Sequence, residues 1–176
     1  MCATGDVAFE WGPGVELLVE TARLWASLGH HDAEGRFRID GVTGPDEYTA
    51  LVDNNTFTNL TAKSNLAFAA ATLARMRTEA PSAYAALAEE VSLDDDEPDQ
   101  WRAAADAMYV HFDTERGLHG QDDSFLDKQP WDFEGTPADR YPLLLHYHPL
   151  DLYRSQVIKQ ADLVIGSRYL DKASRV

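Results

Sequence analysis

Residues 53–77 read DNNTFTNLTAKSNLAFAAATLARMR, and this stretch sets the class of the chain. Asp53, Asn54 and Asn55 carry short acceptor side chains that suit an N-cap, so a helix is expected to follow them and run to about residue 77. Its centre, Ala67-Phe68-Ala69-Ala70-Ala71, is rich in small residues, which let a neighbouring helix come close.

Upstream, Val15, Leu18, Ala22 and Trp25 recur at three- and four-residue steps. Leu17, Leu24 and Leu28 widen that stripe, so a helix is expected over 14–28, with Gly29 as its stop. His30-His31 reads as a C-terminal pair favoured by the helix dipole. Downstream, helices are expected over 81–91 and 99–112, joined by a solvated acidic connection. A last helix is expected over 149–165; Leu152, Tyr153, Val157, Ile158, Ala161, Leu163, Val164 and Ile165 spread round it, as in an interior helix. Gln156 and Gln160 fall inside that apolar arc and Lys159 at its edge, where polar groups need partners from the protein or a ligand. The nearest approach to a strand is a short extended piece over 37–42. The class is all-α, built from helical hairpins.

Two connections, 30–53 and 113–148, exceed the roughly 12–15 residues beyond which structureless loops are uncommon and often functional. If the long helices alternate in direction, both loops fall at one end of the stack, where a pocket is expected.

Composition narrows the function. At 176 residues and 44% hydrophobic, the chain is long enough for one ordinary core. A formal net charge of -15 repels nucleic acid and anionic membrane surfaces, and neither is expected as a partner. The one cysteine, Cys2, rules out an internal disulfide framework and fits a reducing compartment. With no apolar run of membrane-spanning length and no signal-like start, a soluble, cytoplasmic protein is expected.

The chemistry concentrates in Gly41-Val42-Thr43-Gly44-Pro45-Asp46-Glu47-Tyr48 and Val52-Asp53-Asn54-Asn55. Two glycines and a proline fix a turn that presents a carboxylate beside an aromatic ring, and a partly desolvated carboxyl can serve as a general acid. Spacing alone favours an ordinary helical turn with acids at its start. Asp122, Asp123, Trp131 and Asp132 lie in the second long connection, where an aromatic platform and carboxylates suit a sugar. An acidic surface loop with one anchoring Trp fits them as well. His146 and His148 have no third ligand at a familiar metal spacing, so structural hydrogen bonding is expected of them and no metal.

The Gly-Val-Thr-Gly-Pro-Asp-Glu-Tyr segment and the following Val-Asp-Asn-Asn resemble the catalytic-acid region of glycoside hydrolase family 65. So do Trp131-Asp132-Phe133, the run from Tyr141 to Leu150, and the run from Tyr153 to Asp162. That family contains maltose, trehalose and kojibiose phosphorylases and some α-glucoside hydrolases. The resemblance, over residues 3–164, implies a fragment of an (α/α)6 catalytic barrel with long active-site loops, 1–165, and a divergent tail, 166–176. It implies Glu47 as general acid and Lys159 and Gln160 as sugar contacts; Trp131 and Asp123 remain as weaker substrate-binding candidates. The implied reaction is inverting phosphorolysis of an α-glucosidic disaccharide to β-glucose 1-phosphate. Inorganic phosphate is the co-substrate, with no metal or organic cofactor, and a homodimeric parent is compatible with it. An inverting hydrolase, or an inactive helical fragment or carbohydrate-binding module, are the alternatives. Thr49-Ala50 stand where many members carry His-Glu, which leaves the acceptor sugar open. The isolated fragment is expected to be loosely packed and inactive.

Overall fold

The computed structural model describes residues 5–169, so the expectations placed on Cys2 and on most of the 166–176 tail fall outside the described residues. The chain divides into two units: Met1–Arg38 with Thr61–Met108, and Ile39–Leu60 with Tyr109–Val176.

The first unit is helical. Asp6 caps α1 (Val7–Phe9) by accepting the Phe9 N–H at 3.0 Å, and a π-turn over Glu10–Gly14 leads into α2 (Val15–Leu28). Helix α2 buries Val15, Val19 and Ala22, which lie on one face at three- and four-residue steps. The expected stripe is narrower than its leucines suggested. Leu17, Leu24 and Leu28 are 61%, 52% and 50% exposed. The Arg23 guanidinium forks onto Glu97 at 2.7 and 2.8 Å and donates to the carbonyls of Val91 and Ser92 at 2.9 and 3.1 Å. The Arg23 hydrogen bond holds the Glu97 carboxyl below the usual glutamate range. The acidic connection is thus anchored at Glu97 rather than solvated throughout.

His30-His31 is a correction: it forms strand β1 (His30–His31), paired antiparallel with β2 (Phe37–Arg38), not a helix end. Gly29 leaves α2 in an extended conformation, and a Cβ there would strike the Phe37 ring, so the glycine is required by packing as well as by the stop. Asp32 closes the hairpin by accepting the N–H groups of Glu34 and Arg36 at 3.1 and 2.9 Å.

Helix α3 (Thr56–Glu79) is the one announced at residue 53. Within the first unit it buries Ala62, Leu66, Ala69, Leu73 and Met76, a stripe at alternating steps of four and three. Helix α4 (Pro81–Glu90) starts on its proline, as expected. Helix α5 (Glu97–Asp106) is a correction at both ends to the expected 99–112. Pro98 fits its first turn, and it stops because the Ala107 carbonyl accepts the Phe37 N–H at 2.8 Å while Met108 bridges to Phe37.

The second unit is mostly loop. It holds β3 (Phe112–Asp113) antiparallel to β4 (Leu118–His119), and β5 (Gln129–Pro130) parallel to β6 (Ser155–Gln156). Two short helices, α6 (Pro149–Tyr153) and α7 (Asp162–Gly166), flank a non-helical stretch. Its apolar cluster is Tyr48, Leu143, Leu152 and Val157, with Trp131 and Tyr147 packed on it.

The continuous helix expected over 149–165 does not form. After Tyr153 the chain pairs with β5, and the Gln156 side-chain amide donates to the carbonyls of Leu126 and Lys128 at 2.9 and 2.8 Å. The N–H groups of Lys159 and Gln160 go to the Asp46 carboxylate, and that of Asp162 to Gln121, so side chains replace the i→i−4 acceptors a helix would supply. The two long connections expected to build a pocket do contribute to one unit. His148 caps α6, its Nδ1 accepting the Leu150 N–H at 3.2 Å, which bears out a structural role.

Replacing Leu17, Leu24 and Leu28 together by Gln should lower binding of a hydrophobic dye and leave helical circular dichroism unchanged. The expected stability change is within about 1 kcal/mol, as for exposed positions. A loss of several kcal/mol in a denaturant titration would show that these leucines pack in the folded chain.

Candidate active site

The segment 41–48 is held at its base and open at its tip. Val42 and Val52 exchange N–H···O bonds of 2.9 Å, and Asp53 accepts the Gly41 N–H at 2.8 Å, where Gly41 adopts a φ of 66°. A Cβ on Gly44 would run into the Asp162 carboxylate and the Asn55 amide, so a close approach dictates that glycine. Asp53-Asn54-Asn55 does more than cap α3. Asn55 Oδ1 accepts the Thr58 N–H at 3.0 Å, while its Nδ2 donates to Asp162 Oδ2 at 2.8 Å. Asn54, at a left-handed φ of 53°, accepts the Ile39 N–H at 3.2 Å and donates to Asp40 and Asp123 at 2.8 and 3.0 Å.

Neighbouring carboxylates in the turn have opposite surroundings. Asp46 is fully buried and accepts from the N–H groups of Tyr48, Lys159 and Gln160 at 3.3, 2.9 and 3.4 Å and from Gln121 Nε2 at 3.0 Å. Glu47 has a side chain 60% exposed, and the Lys159 ammonium, 112 residues away in sequence, donates to its Oε2. That hydrogen bond raises Lys159 above the ordinary lysine range. Gln160 follows, with its amide oxygen buried and without a hydrogen-bond partner among the described residues.

Beneath the turn sits Asp162, fully buried, with Oδ2 bonded to Asn55 and Oδ1 unpartnered among the described residues. Burial pushes its carboxyl up from 3.8 to about 6; the Asn55 hydrogen bond opposes the shift, and the charges of Asp46 and Asp122 add to it. Asp122 is buried too, with Oδ1 accepting the Ser124 N–H and hydroxyl, both at 2.8 Å.

The structure therefore brings Glu47 and Lys159 into contact, ties the Gln160 backbone to the neighbouring Asp46, and leaves the other candidates apart from that contact. Asp123 bonds Asn54 and the Asp53 carbonyl, and faces His111 at 3.8 Å. Trp131 donates its Nε1–H to Thr136 at 2.9 Å, stands edge-on to Tyr147 at 4.9 Å, and lines an open hollow of about 340 Å³ with Asp132 and Ser155. None of Glu47, Lys159 or Gln160 lines that hollow. Sequence reasoning missed Gln121 and Asp162 as organisers. Asp162 closes one of the quoted blocks and Gln121 lies in the second long connection, with nothing in the sequence to say that the two would meet. Among the described residues no cluster of His, Cys, Asp and Glu is arranged to hold a metal, and no helix is long and apolar enough to cross a membrane.

The family model of the glycosyl hydrolase family 65 central catalytic domain matches residues 1–175. The chain belongs to that family. An alpha,alpha-trehalose phosphorylase of Geobacillus stearothermophilus is 51% identical over 168 residues, 96% of this chain and 22% of the relative. A kojibiose phosphorylase of Halothermothrix orenii is 32% identical over 163 residues, 92% of this chain and 21% of the relative. A solved human-microbiome protein provisionally assigned as a kojibiose phosphorylase shares the fold, with a TM-score of 0.81 at 24% identity, over 94% of this chain and 23% of its own. The family 65 chain thus spans about a fifth of the length of the curated relatives it matches.

In this family 65 domain the raised Asp162 has a measurable consequence. The folded chain holds that proton more tightly than the unfolded chain, so its stabilising effect is complete below about pH 4 and is lost as pH rises through about 6. Asp162→Asn removes the ionisation and keeps the acceptor for Asn55. The variant should gain on the wild type between those limits by about 1–3 kcal/mol and then hold a constant lead, read by denaturant titration across pH. A gap independent of pH would show that Asp162 does not titrate in this window.

Proposed function

We propose that the polypeptide carrying this chain cleaves an α-glucosidic disaccharide by inverting phosphorolysis and releases β-glucose 1-phosphate. The observation that carries this reading is the meeting of Glu47 with Lys159, whose neighbour in the chain, Gln160, has a buried amide oxygen without a hydrogen-bond partner among the described residues. Glu47 protonates the glycosidic oxygen as phosphate attacks the anomeric carbon from the opposite face. Lys159 and Gln160 hold hydroxyls of the glucosyl ring. A general acid must carry a proton at the moment of transfer, so Lys159 passes its hydrogen bond from Glu47 to the sugar as Glu47 takes that proton up.

An inverting hydrolase would need a second carboxylate, about 6.5–9.5 Å from the acid, to activate water. Phosphate needs no such base. The higher identity to trehalose phosphorylases than to kojibiose phosphorylases makes trehalose the first substrate to test. On the same reading, residues 1–165 form part of an (α/α)6 barrel and the rest is a divergent tail.

Glu47→Gln keeps the shape but has no proton to give. In the full-length polypeptide in which this chain occurs, turnover of trehalose with phosphate should fall about 10²–10⁴-fold. α-Glucosyl fluoride, whose leaving group needs no protonation, should lose far less. Equal losses on both substrates would remove Glu47 from this role.

Gln160→Ala should raise the disaccharide KM roughly tenfold at unchanged thermal stability, the usual scale for one hydrogen bond. A variant that melts early while its folded fraction keeps full activity would make Gln160 structural.

A further inference from the structure

The polar groups around Asp46 form a wire with only one consistent direction. The Asp162 backbone N–H can only donate, so the Gln121 end that faces it at 3.2 Å is the amide oxygen. The other end of Gln121, its NH₂, then faces Asp46 Oδ2 at 3.0 Å. Asp46 Oδ1 faces the backbone N–H groups of Lys159, Gln160 and Tyr48, which are again donors only. Both oxygens of Asp46 must therefore accept. An asparagine would set an NH₂ against the NH₂ of Gln121, and turning Gln121 over would move the clash to the Asp162 N–H. A mere turn-former would tolerate Asn, which is as common in turns as Asp. This position does not.

The wire also joins the two parts of the site. Asp46 is bonded through the peptide to Glu47, and the N–H groups it accepts belong to Lys159 and Gln160. We propose that Asp46 is a positioning residue that, through Gln121 and Asp162, docks the Lys159–Gln160 backbone on the Glu47 turn; its part in the reaction rests on the function proposed above. Asp46 touches no reacting atom. It sets where the Lys159 ammonium and the Gln160 amide stand.

The direction of the wire supplies the test, a compensating pair. Asp46→Asn places donor against donor, and Gln121→Glu places carboxylate against carboxylate. In the double variant the introduced asparagine donates its NH₂ to the introduced glutamate, whose carboxylate also accepts the Asp162 N–H, and the total charge is that of the wild type. Hydrogen exchange is followed by mass spectrometry on the full-length polypeptide, in a peptide covering 157–161 and, for comparison, one within α3. Each single variant should exchange about 10- to 100-fold faster over 157–161 with α3 unchanged, and kcat/KM for the disaccharide should fall at least tenfold. The double variant should return both readouts to within a few-fold of the wild type, which a purely structural account based on side-chain size does not require.

Unchanged exchange in Asp46→Asn, or a double variant no better than the singles, would overturn the proposal. Should Asp46→Asn fail to fold, the double variant decides alone: recovered folding and protection support the wire, and continued failure overturns it. Exchange is read without substrate, so a wild type that lacks phosphorolysis would sink the proposed function while the docking was still judged by exchange.

Discussion

A carboxylate removed from water costs several kcal/mol unless hydrogen bonds replace its hydration, and Asp46 replaces it with four donors. Three of those donors are backbone N–H groups, two of them from residues that sequence periodicity places in a helix. The dependence is mutual. Without Asp46 the N–H groups of Lys159 and Gln160 would need other acceptors, and without that irregular backbone Asp46 would be a buried charge lacking partners. Asp162, also fully buried, is given fewer donors, the Asn55 amide and the Asp46 backbone N–H, and burial pushes its carboxyl up to about 6.

This arrangement separates holding from acting. At Asp46-Glu47 the first residue is buried and fixed while the second keeps most of its side chain in solvent. At Lys159-Gln160 the backbone is docked, and the side chains are left for Glu47 and for whatever Gln160 meets. A side chain whose own backbone is pinned by a neighbour's carboxylate loses little freedom of placement and none of its polar capacity. Binding sites need that combination.

Helices whose residues bury one face were legible. The cap and extent of α3, the proline start of α4 and the glycine stop of α2 follow from local chemistry that any neighbour would respect. Helix α2 was legible in position but not in width, because periodicity reports which residues share a face and not whether anything covers Leu17, Leu24 and Leu28. The 149–165 stretch was misread for a different reason. Its apolar residues do repeat, but Asp46, Gln121 and the carbonyls of Leu126 and Lys128 displace the helical hydrogen bonds, and all four lie outside the stretch. Glu47, Lys159 and Gln160 were found through motif resemblance. Gln121 and Asp162 were not, since their significance exists only once three separate segments converge.

The acidity of the chain bears directly on the proposed chemistry. At a formal charge of -15 the mean field opposes an incoming phosphate, yet charges more than about 8 Å away are largely screened at physiological salt, so local groups decide. Lys159 is such a group, and in the structure its charge is compensated by Glu47. On the proposed mechanism Glu47 must become protonated before it can act, and that same proton removes the compensation and leaves the Lys159 cation exposed. The step that arms the acid therefore also makes the site one charge less negative, with the charge of Asp46 still acting on Lys159. On that mechanism, arming the acid and freeing the Lys159 ammonium for the sugar become one electrostatic event, on the side of the anomeric carbon opposite the incoming phosphate.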